Sequence, residues 1–354
     1  MTTIPTAIPD TMKAILLNGH GGPDMLEYRQ DIPVPTPKDH EVLIRVSAAA
    51  VNNTDINTRI GWYSKSDHSK DDASWGGNAL NLPRIQGADV CGEIVAVGDC
   101  VDNIRIGERV LVEPCLSDVN GESVSPAWYL GSECDGGFAE YTVVSAKHAY
   151  KIDSDLTDIE LASFPCSYST AENLLTRAQV VKGDRVLISG ASGGVGSAAI
   201  QLAKARGATV IAITSASKHD LVLGLGANTV VNRNENLGET LGTNSVDVVI
   251  DLVAGEQWPQ FFDVLRPKGR YAVSGAIGGA LVELDVRTLY LKDLSFFGCT
   301  VLEPEVFCNL VSLIEQGKIK PLVAKTFPLE AISQAQTEFQ EKKHVGKIVL
   351  TVTE

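Results

Sequence analysis

Val186-Leu187-Ile188-Ser189-Gly190-Ala191-Ser192-Gly193-Gly194-Val195-Gly196 is the stretch on which the fold turns. Its first residues form an apolar run of strand length, and the glycines lead into Val195 to Arg206, whose apolar residues recur at helical spacing. A strand that turns through glycines into a helix presents the helix's unpaired N–H groups and positive dipole end at the turn, which is where an anion binds. Gly193 allows the backbone to approach a pyrophosphate, and Gly196 allows the helix to close on the strand. Ala191 stands where the strict G-x-G-x-x-G form has its first glycine. The candidate contact residues are Ala191, Ser192, Gly193, Gly194, Val195 and Gly196; the plainer alternative is a tight turn with no ligand.

On either side of this turn, strand-like runs alternate with amphipathic stretches. The strand candidates are Arg185 to Ser189, Thr209 to Thr214, Thr229 to Asn232, Val246 to Val253, Arg270 to Ser274 and Ser295 to Thr300. This alternation predicts a doubly wound parallel sheet with crossover helices. An acid at the end of the second strand would bind the ribose 2′-hydroxyl of NAD, and none is present. Ser215, Ser217 and Lys218 follow that strand, and Arg233 follows the third. Hydroxyls and cations suit a 2′-phosphate, so the reading favours NADP(H) over NAD(H).

Before this region the pattern differs. From Lys13 to about Tyr150, short β-branched runs at Glu41 to Val46, Cys91 to Val97, Glu108 to Val112 and Ala139 to Val144 alternate with Gly, Pro and Asp, the pattern of a β-rich, barrel-like module. Gly61 to Leu82, polar and carrying Trp62, Tyr63 and Trp75, reads as an inserted loop or lid. Ser117 to Gly137 reads as a long surface excursion with turns at Asn120-Gly121 and Asp135-Gly136-Gly137. Helical spacing marks Asp158 to Leu175, Pro304 to Gln316 and Glu330 to Lys342, and the last strand candidate is Lys347 to Val352.

Composition narrows the function. The chain has 354 residues, 30 Lys+Arg against 44 Asp+Glu and 44% hydrophobic residues, enough for two domains with a large core. A net charge of -14 with no basic stripe argues against nucleic acid and anionic membrane as partners. No apolar run approaches eighteen residues and Met1 to Thr11 does not resemble a secretory signal, so a soluble cytoplasmic protein is expected. The seven cysteines are dispersed without a CxxC pair and read as reduced thiols.

Taken together, the motifs resemble those of the medium-chain dehydrogenase/reductase superfamily, and most of all its zinc-free quinone oxidoreductase (zeta-crystallin-like) branch. The resemblance rests on Ala50 to Asp55, Gly87 to Gly98, Ile106 to Val110, Asp135 to Tyr141, the glycine turn and the ends Met12-Lys13-Ala14 and Gly346 to Leu350. It implies an α/β architecture: a GroES-like β-rich catalytic domain (residues 1–165 with 301–354) and a Rossmann domain with a doubly wound parallel sheet (166–300).

Zinc-dependent alcohol dehydrogenases of this superfamily carry a Cys before a Thr-Asp pair, a His-Glu pair and a second Cys at three places. This chain has Asn52, Ala88-Asp89 and Cys166 there. A catalytic zinc needs three protein ligands, so no metal is expected, and Cys166 reads as a small core residue. Without a Lewis acid, acceptors that delocalise the arriving charge are favoured. The resemblance therefore implies hydride transfer from NADPH to a small-molecule quinone or α,β-unsaturated carbonyl, with Asn52, Tyr63 and Thr170 lining the substrate pocket. Asn52 is expected to donate its amide N–H to the substrate oxygen. Tyr63 is expected as donor or proton source, with packing as its alternative. Gly275, Ala276 and Ile277 resemble the segment that passes the nicotinamide, and Asp55 reads as structural; Lys347 sits where the branch often places a cofactor or cleft residue but reads here as a surface residue. Rival readings are a zinc alcohol dehydrogenase, a nucleotide-binding structural protein without turnover, and an enoyl reductase for a larger thioester. A homodimer is expected by analogy.

Overall fold

Glu41–Ala50 carries small or branched apolar residues at most positions, and in the computed structural model of the chain it forms a strand that is buried along most of its length. The structure describes residues 7–65 and 73–353. The chain divides into two compact units, Met1–Cys166 with Pro321–Glu354, and Ser167–Lys320.

The first unit contains β1 (Thr11–Leu17), β2 (Leu26–Pro33), β3 (Glu41–Ala50), β4 (Arg84–Ile85), β5 (Cys91–Val97), β6 (Arg109–Val112), β7 (Cys115–Val119), β8 (Glu122–Tyr129), β9 (Tyr141–Ser145) and β10 (Ala149–Lys151). The second contains β11 (Arg185–Ile188), β12 (Thr209–Thr214), β13 (Thr229–Asn232), β14 (Val246–Asp251), β15 (Leu265–Val273) and β16 (Ser295–Gly298). The chain then returns to the first unit with β17 (Val323–Pro328) and β18 (Lys347–Thr351). The helices that matter for the site are α1 (Asn53–Ile60), α2 (Asp158–Leu161), α3 (Pro165–Arg177) and α4 (Gly194–Ala205).

β3 is the hub of the first unit, pairing antiparallel with β5, β9 and β18 in a seven-stranded sheet. Val42, Ile44, Val46, Ile94, Val110 and Ile348 interlock in its core, each contributing about 1.5–3 kcal/mol by leaving water. β1, β2 and β4 form a smaller sheet beside it. In this way β3 carries the chain directly to Asn52 and the start of α1.

The second unit is a parallel sheet in the order β13-β12-β11-β14-β15-β16. The winding reverses between β11 and β14, so the loops that leave their carboxyl ends emerge side by side. In sheets of this kind that is where ligands bind. Val186, Leu187 and Ile188 have no exposed surface, as expected for a strand covered on both faces.

Several expectations need correction. Ser117 to Gly137 is not an irregular excursion: β7 and β8 form an antiparallel hairpin, with Asn120 (φ 51) and Gly121 (φ 84) in the left-handed conformation of its tight turn. The polar side of β8 faces water, which made it read as loop, while Ala127 and Tyr129 are buried. Residues 301–320 belong to the second unit, because Val306–Glu315 is a helix that buries Val306, Phe307, Leu310 and Ile314. The helical run after Asp158 is broken before Pro165, which has no N–H to continue it, into α2 and α3. Part of the Gly61 to Leu82 insertion, residues 66–72, lies outside the described residues; nearby Ala73 and Ser74 are buried. Among the described residues no helix is long and apolar enough to cross a membrane.

Candidate active site

In the second unit the glycine turn follows β11. Gly190 adopts φ +58, and Gly193 donates its N–H back to the Gly190 carbonyl at 3.0 Å, closing the turn. A Cβ on Gly196 would lie 2.3 Å from the Gly190 oxygen, so packing of α4 on β11 requires glycine there. Gly193 is different: a Cβ on it would meet nothing closer than that same oxygen at 3.4 Å, an ordinary contact. The protein alone therefore does not require glycine at Gly193, whereas a ligand lying against the turn would. No side chain caps α4 and no acid lies in its first turn, so the N–H groups at its start are available to an anion. These features fit a dinucleotide pyrophosphate. Ala191 departs from its expected role, since it is fully buried and its N–H is bonded to the Ile213 carbonyl at 3.1 Å. Ser192, Gly193, Gly194 and Val195 retain some exposure.

At the end of β12 the Ser215 and Ser217 hydroxyls are 3.2 Å apart. Lys218 lies close enough to Arg233 that burial first, and then the neighbouring guanidinium, lower its pKa. A hydrogen bond from the Arg233 N–H to the Thr214 carbonyl at 2.9 Å holds the two strand ends together. Two cations and two hydroxyls thus converge where an acid would serve NAD. Beyond β15, a Cβ on Gly275 would approach the Leu252 oxygen to 2.8 Å, while Ile277 is exposed.

The first unit builds a buried polar cluster where β3 runs into α1. The Asp55 carboxylate accepts the Asn52 N–H at 2.7 Å, which fixes the start of the helix. Lys347, at the start of β18, is 2% exposed and its ammonium lies 2.9 Å from Asp89, which is 0% exposed. The same ammonium donates to the Asn52 amide oxygen. An ammonium has only protons to offer, so the Asn52 NH2 must point the other way, and it donates to Asp89 at 2.8 Å and to the Ala50 carbonyl at 3.2 Å. Lys347 is therefore not a surface residue, and Asn52 has no amide proton left for a substrate.

Asp89 also accepts the Cys166 N–H at 2.6 Å. Burial, reinforced by the charge on Asp89, pushes the Asp55 carboxyl up to about 7; Lys347 and the N–H groups of Asn52 and Ala88 oppose the shift. The Cys166 thiol is pushed up to about 12, by burial first and then by Asp89. It meets the Tyr129 hydroxyl at 3.1 Å, and the Tyr129 ring stacks on Trp75 with centroids 4.8 Å apart. Tyr63 is half-buried and donates to the Thr54 hydroxyl at 3.1 Å; burial raises its pKa, so the phenol keeps its proton at neutral pH. Thr170 lies one turn beyond Cys166 on α3, past the boundary of the first unit.

Asn52, Ala88-Asp89 and Cys166 do not fit a zinc ion. Zinc takes thiolate, neutral imidazole or free carboxylate. Here Ala88 offers no side-chain donor, and the Asn52 oxygen and Asp89 are already joined to a cation, which leaves the Cys166 sulfur alone of the set. Sequence reasoning missed Tyr129, Trp75 and the burial of Lys347. The available signal was Asp89 itself, a carboxylate in the apolar run Ala88 to Cys91, which needs a cation from elsewhere in the chain.

Comparison with known proteins agrees with both halves. Residues 38–154 match the alcohol dehydrogenase GroES-like domain family and residues 194–316 the zinc-binding dehydrogenase family. The chain is 31% identical to human quinone oxidoreductase, covering 96% of this chain and 97% of the relative. It is 32% identical to an NAD-dependent alcohol dehydrogenase of Sulfurisphaera tokodaii, covering 96% and 99%. The solved structure of a Sinorhizobium meliloti 1021 protein, provisionally named an alcohol dehydrogenase, superposes with a TM-score of 0.88 at 44% identity over 97% of both chains. A GroES-like unit joined to a parallel dinucleotide-binding sheet, with relatives matched over nearly their whole length, makes this chain an oxidoreductase of the medium-chain dehydrogenase/reductase superfamily.

Proposed function

We propose that the chain reduces quinones or α,β-unsaturated carbonyls with NADPH and without a metal. The observation that carries this reading is the Lys347 ammonium, which holds both Asn52 and Asp89. With those groups committed, no group of His, Cys, Asp or Glu among the described residues could hold a Lewis-acid metal, and a substrate that spreads negative charge over its own conjugation needs none.

Bound NADPH supplies the hydride. The chain's part is to hold the cofactor, present hydrogen-bond donors and deliver a proton. On this reading the turn at Gly193 and the start of α4 take the pyrophosphate, and Lys218 and Arg233 take the 2′-phosphate. In the first unit Tyr63 donates to Thr54, which leaves the Thr54 proton free to point elsewhere, in the first turn of α1 where the helix dipole favours a negative oxygen. Thr54 then stabilises the developing oxyanion and Tyr63 is the proton reserve behind it. Lys347 and Asp89 fix Asn52, and through it the start of α1.

The assembly is read as a homodimer. β16 is an edge strand, and Ile277, Leu281, Val286, Tyr290 and Leu291, in the segment that leads to it, expose large apolar surfaces that a second copy would cover. All seven cysteines are free thiols, which supports a reducing compartment such as the cytosol.

The test is steady-state kinetics with both cofactors and both substrate classes. NADPH oxidation by a simple quinone or enone is expected to exceed NADH oxidation, with negligible NAD-linked oxidation of primary alcohols. Faster alcohol oxidation with NAD would favour the reading suggested by the alcohol dehydrogenases among the similar proteins.

A further inference from the structure

Asp251 ends β14 with 0% exposure, yet among the described residues no Lys, Arg or His pairs with it. Neutral donors hold its charge instead. One carboxylate oxygen accepts the Ser189 hydroxyl at 2.5 Å and the N–H groups of Val253 and Ala254 at 3.0 and 3.1 Å. The other accepts the Tyr271 hydroxyl at 2.7 Å and the Ala254 N–H at 3.2 Å, and Tyr271 in turn accepts the Trp258 indole N–H at 2.9 Å. Ser189, which opens the phosphate turn, also accepts the Leu252 N–H at 2.8 Å.

The group so held is unusual. Ala254 has φ 54 and ψ -138, a conformation natural to glycine and strained for a residue with a Cβ. Around it the backbones pack too closely for side chains: a Cβ on Gly255 would lie 2.4 Å from the Gly278 oxygen, and the Gly278 N–H bonds to the Val253 carbonyl at 2.8 Å. A Cβ on Gly190 would meet a Val253 methyl at 3.1 Å. The phosphate turn, the loop after β14 and the segment Gly275–Gly279 are therefore set against one another, with Asp251 bonded to two of the three.

We infer that Asp251 is a positioning residue for the nicotinamide cofactor: its carboxylate holds Ala254 in the strained conformation that keeps these three segments in one arrangement. The inference rests on the cofactor reading above. An asparagine could not replace it, because both carboxylate oxygens receive protons and an amide would turn N–H groups toward donors.

The experiment measures NADPH affinity by cofactor fluorescence, with the melting temperature of the cofactor-free protein, for the wild type, Asp251→Asn, Ala254→Gly and the double variant. Asp251→Asn is expected to weaken binding about tenfold or more, the scale of a released backbone strain. Ala254→Gly alone should change affinity little. In the double variant most of the affinity should return, since glycine adopts the conformation unaided, while the melting temperature stays lowered by the mismatched amide. A carboxylate that serves only stability would give no such rescue. Wild-type affinity in Asp251→Asn, or a double variant no better than Asp251→Asn, overturns the inference. Should Asp251→Asn not fold, Tyr271→Phe keeps the charge and removes one donor; weaker binding rescued by Ala254→Gly supports the role, and unchanged binding overturns it. A wild type that binds neither NADPH nor NADH would instead remove the cofactor reading itself.

Discussion

Replacing Lys347 by methionine removes the cation on which the buried cluster depends and keeps much of the side chain's apolar bulk. Two unit charges 2.9 Å apart attract by about 6 kcal/mol at an effective dielectric near 20. The desolvation of the ammonium offsets part of this, and removing one partner of a buried pair typically costs about 3–5 kcal/mol. The upper half of that range is expected here, since Asp89 is fully buried and would be left with neutral donors, the Asn52 NH2 and the Cys166 N–H. Asp55 would also lose a cation that opposes its upward shift. Urea unfolding followed by tryptophan fluorescence reads the effect, because Trp62, Trp75 and Trp128 all lie in the first unit. Adding Asp89→Asn removes the stranded charge and should recover most of the lost stability. A loss below about 1 kcal/mol, or a double variant no more stable than Lys347→Met, would mean that the ammonium does not hold the cluster together.

Gly193→Ala should weaken NADPH binding at least tenfold while leaving the cofactor-free melting temperature nearly unchanged, whereas Gly196→Ala should lower that temperature outright, because its Cβ would lie 2.3 Å from a carbonyl oxygen; calorimetry with and without cofactor separates them. Replacing Lys218 and Arg233 by alanine should weaken NADPH binding by about 1.5–3 kcal/mol for each cation taken from the 2′-phosphate and leave NADH binding unchanged, as titrations with the two cofactors would read. Asp55 gives a pH signature: between its ordinary value of 3.8 and about 7 the folded chain keeps a proton that the unfolded chain has released. Stability therefore falls as pH rises through that window, by on the order of 4 kcal/mol in total. Asp55→Asn should flatten that slope in urea titrations from pH 4 to 8, and an unchanged slope would remove the assignment.

The parallel sheet was legible because strands covered on both faces read as unbroken apolar runs, as at Val186 to Ile188 and Val248 to Ile250. The glycine turn from β11 into α4 was legible because its geometry depends on local residue types. What lay beyond reading depended on distant partners. Glu122–Tyr129 looked like loop because much of the strand faces water, and the helix Val306–Glu315 gave no sign of which core it would join. Lys347 looked like a surface lysine because its environment comes from Asn52 and Asp89, both remote in the chain. The same hydrogen bonds withdrew Asn52 from its expected role, since which protons an amide has left to offer is decided by its neighbours. Asp251 escaped notice because a carboxylate held only by neutral donors follows no short sequence pattern.

Metal-free hydride transfer is tested by NADPH-dependent reduction of a simple quinone before and after exhaustive chelation. If Lys347 holds the place of an electrophilic ion, turnover should be the same in both samples to within experimental scatter. Loss of turnover on chelation, restored by adding zinc, would contradict it.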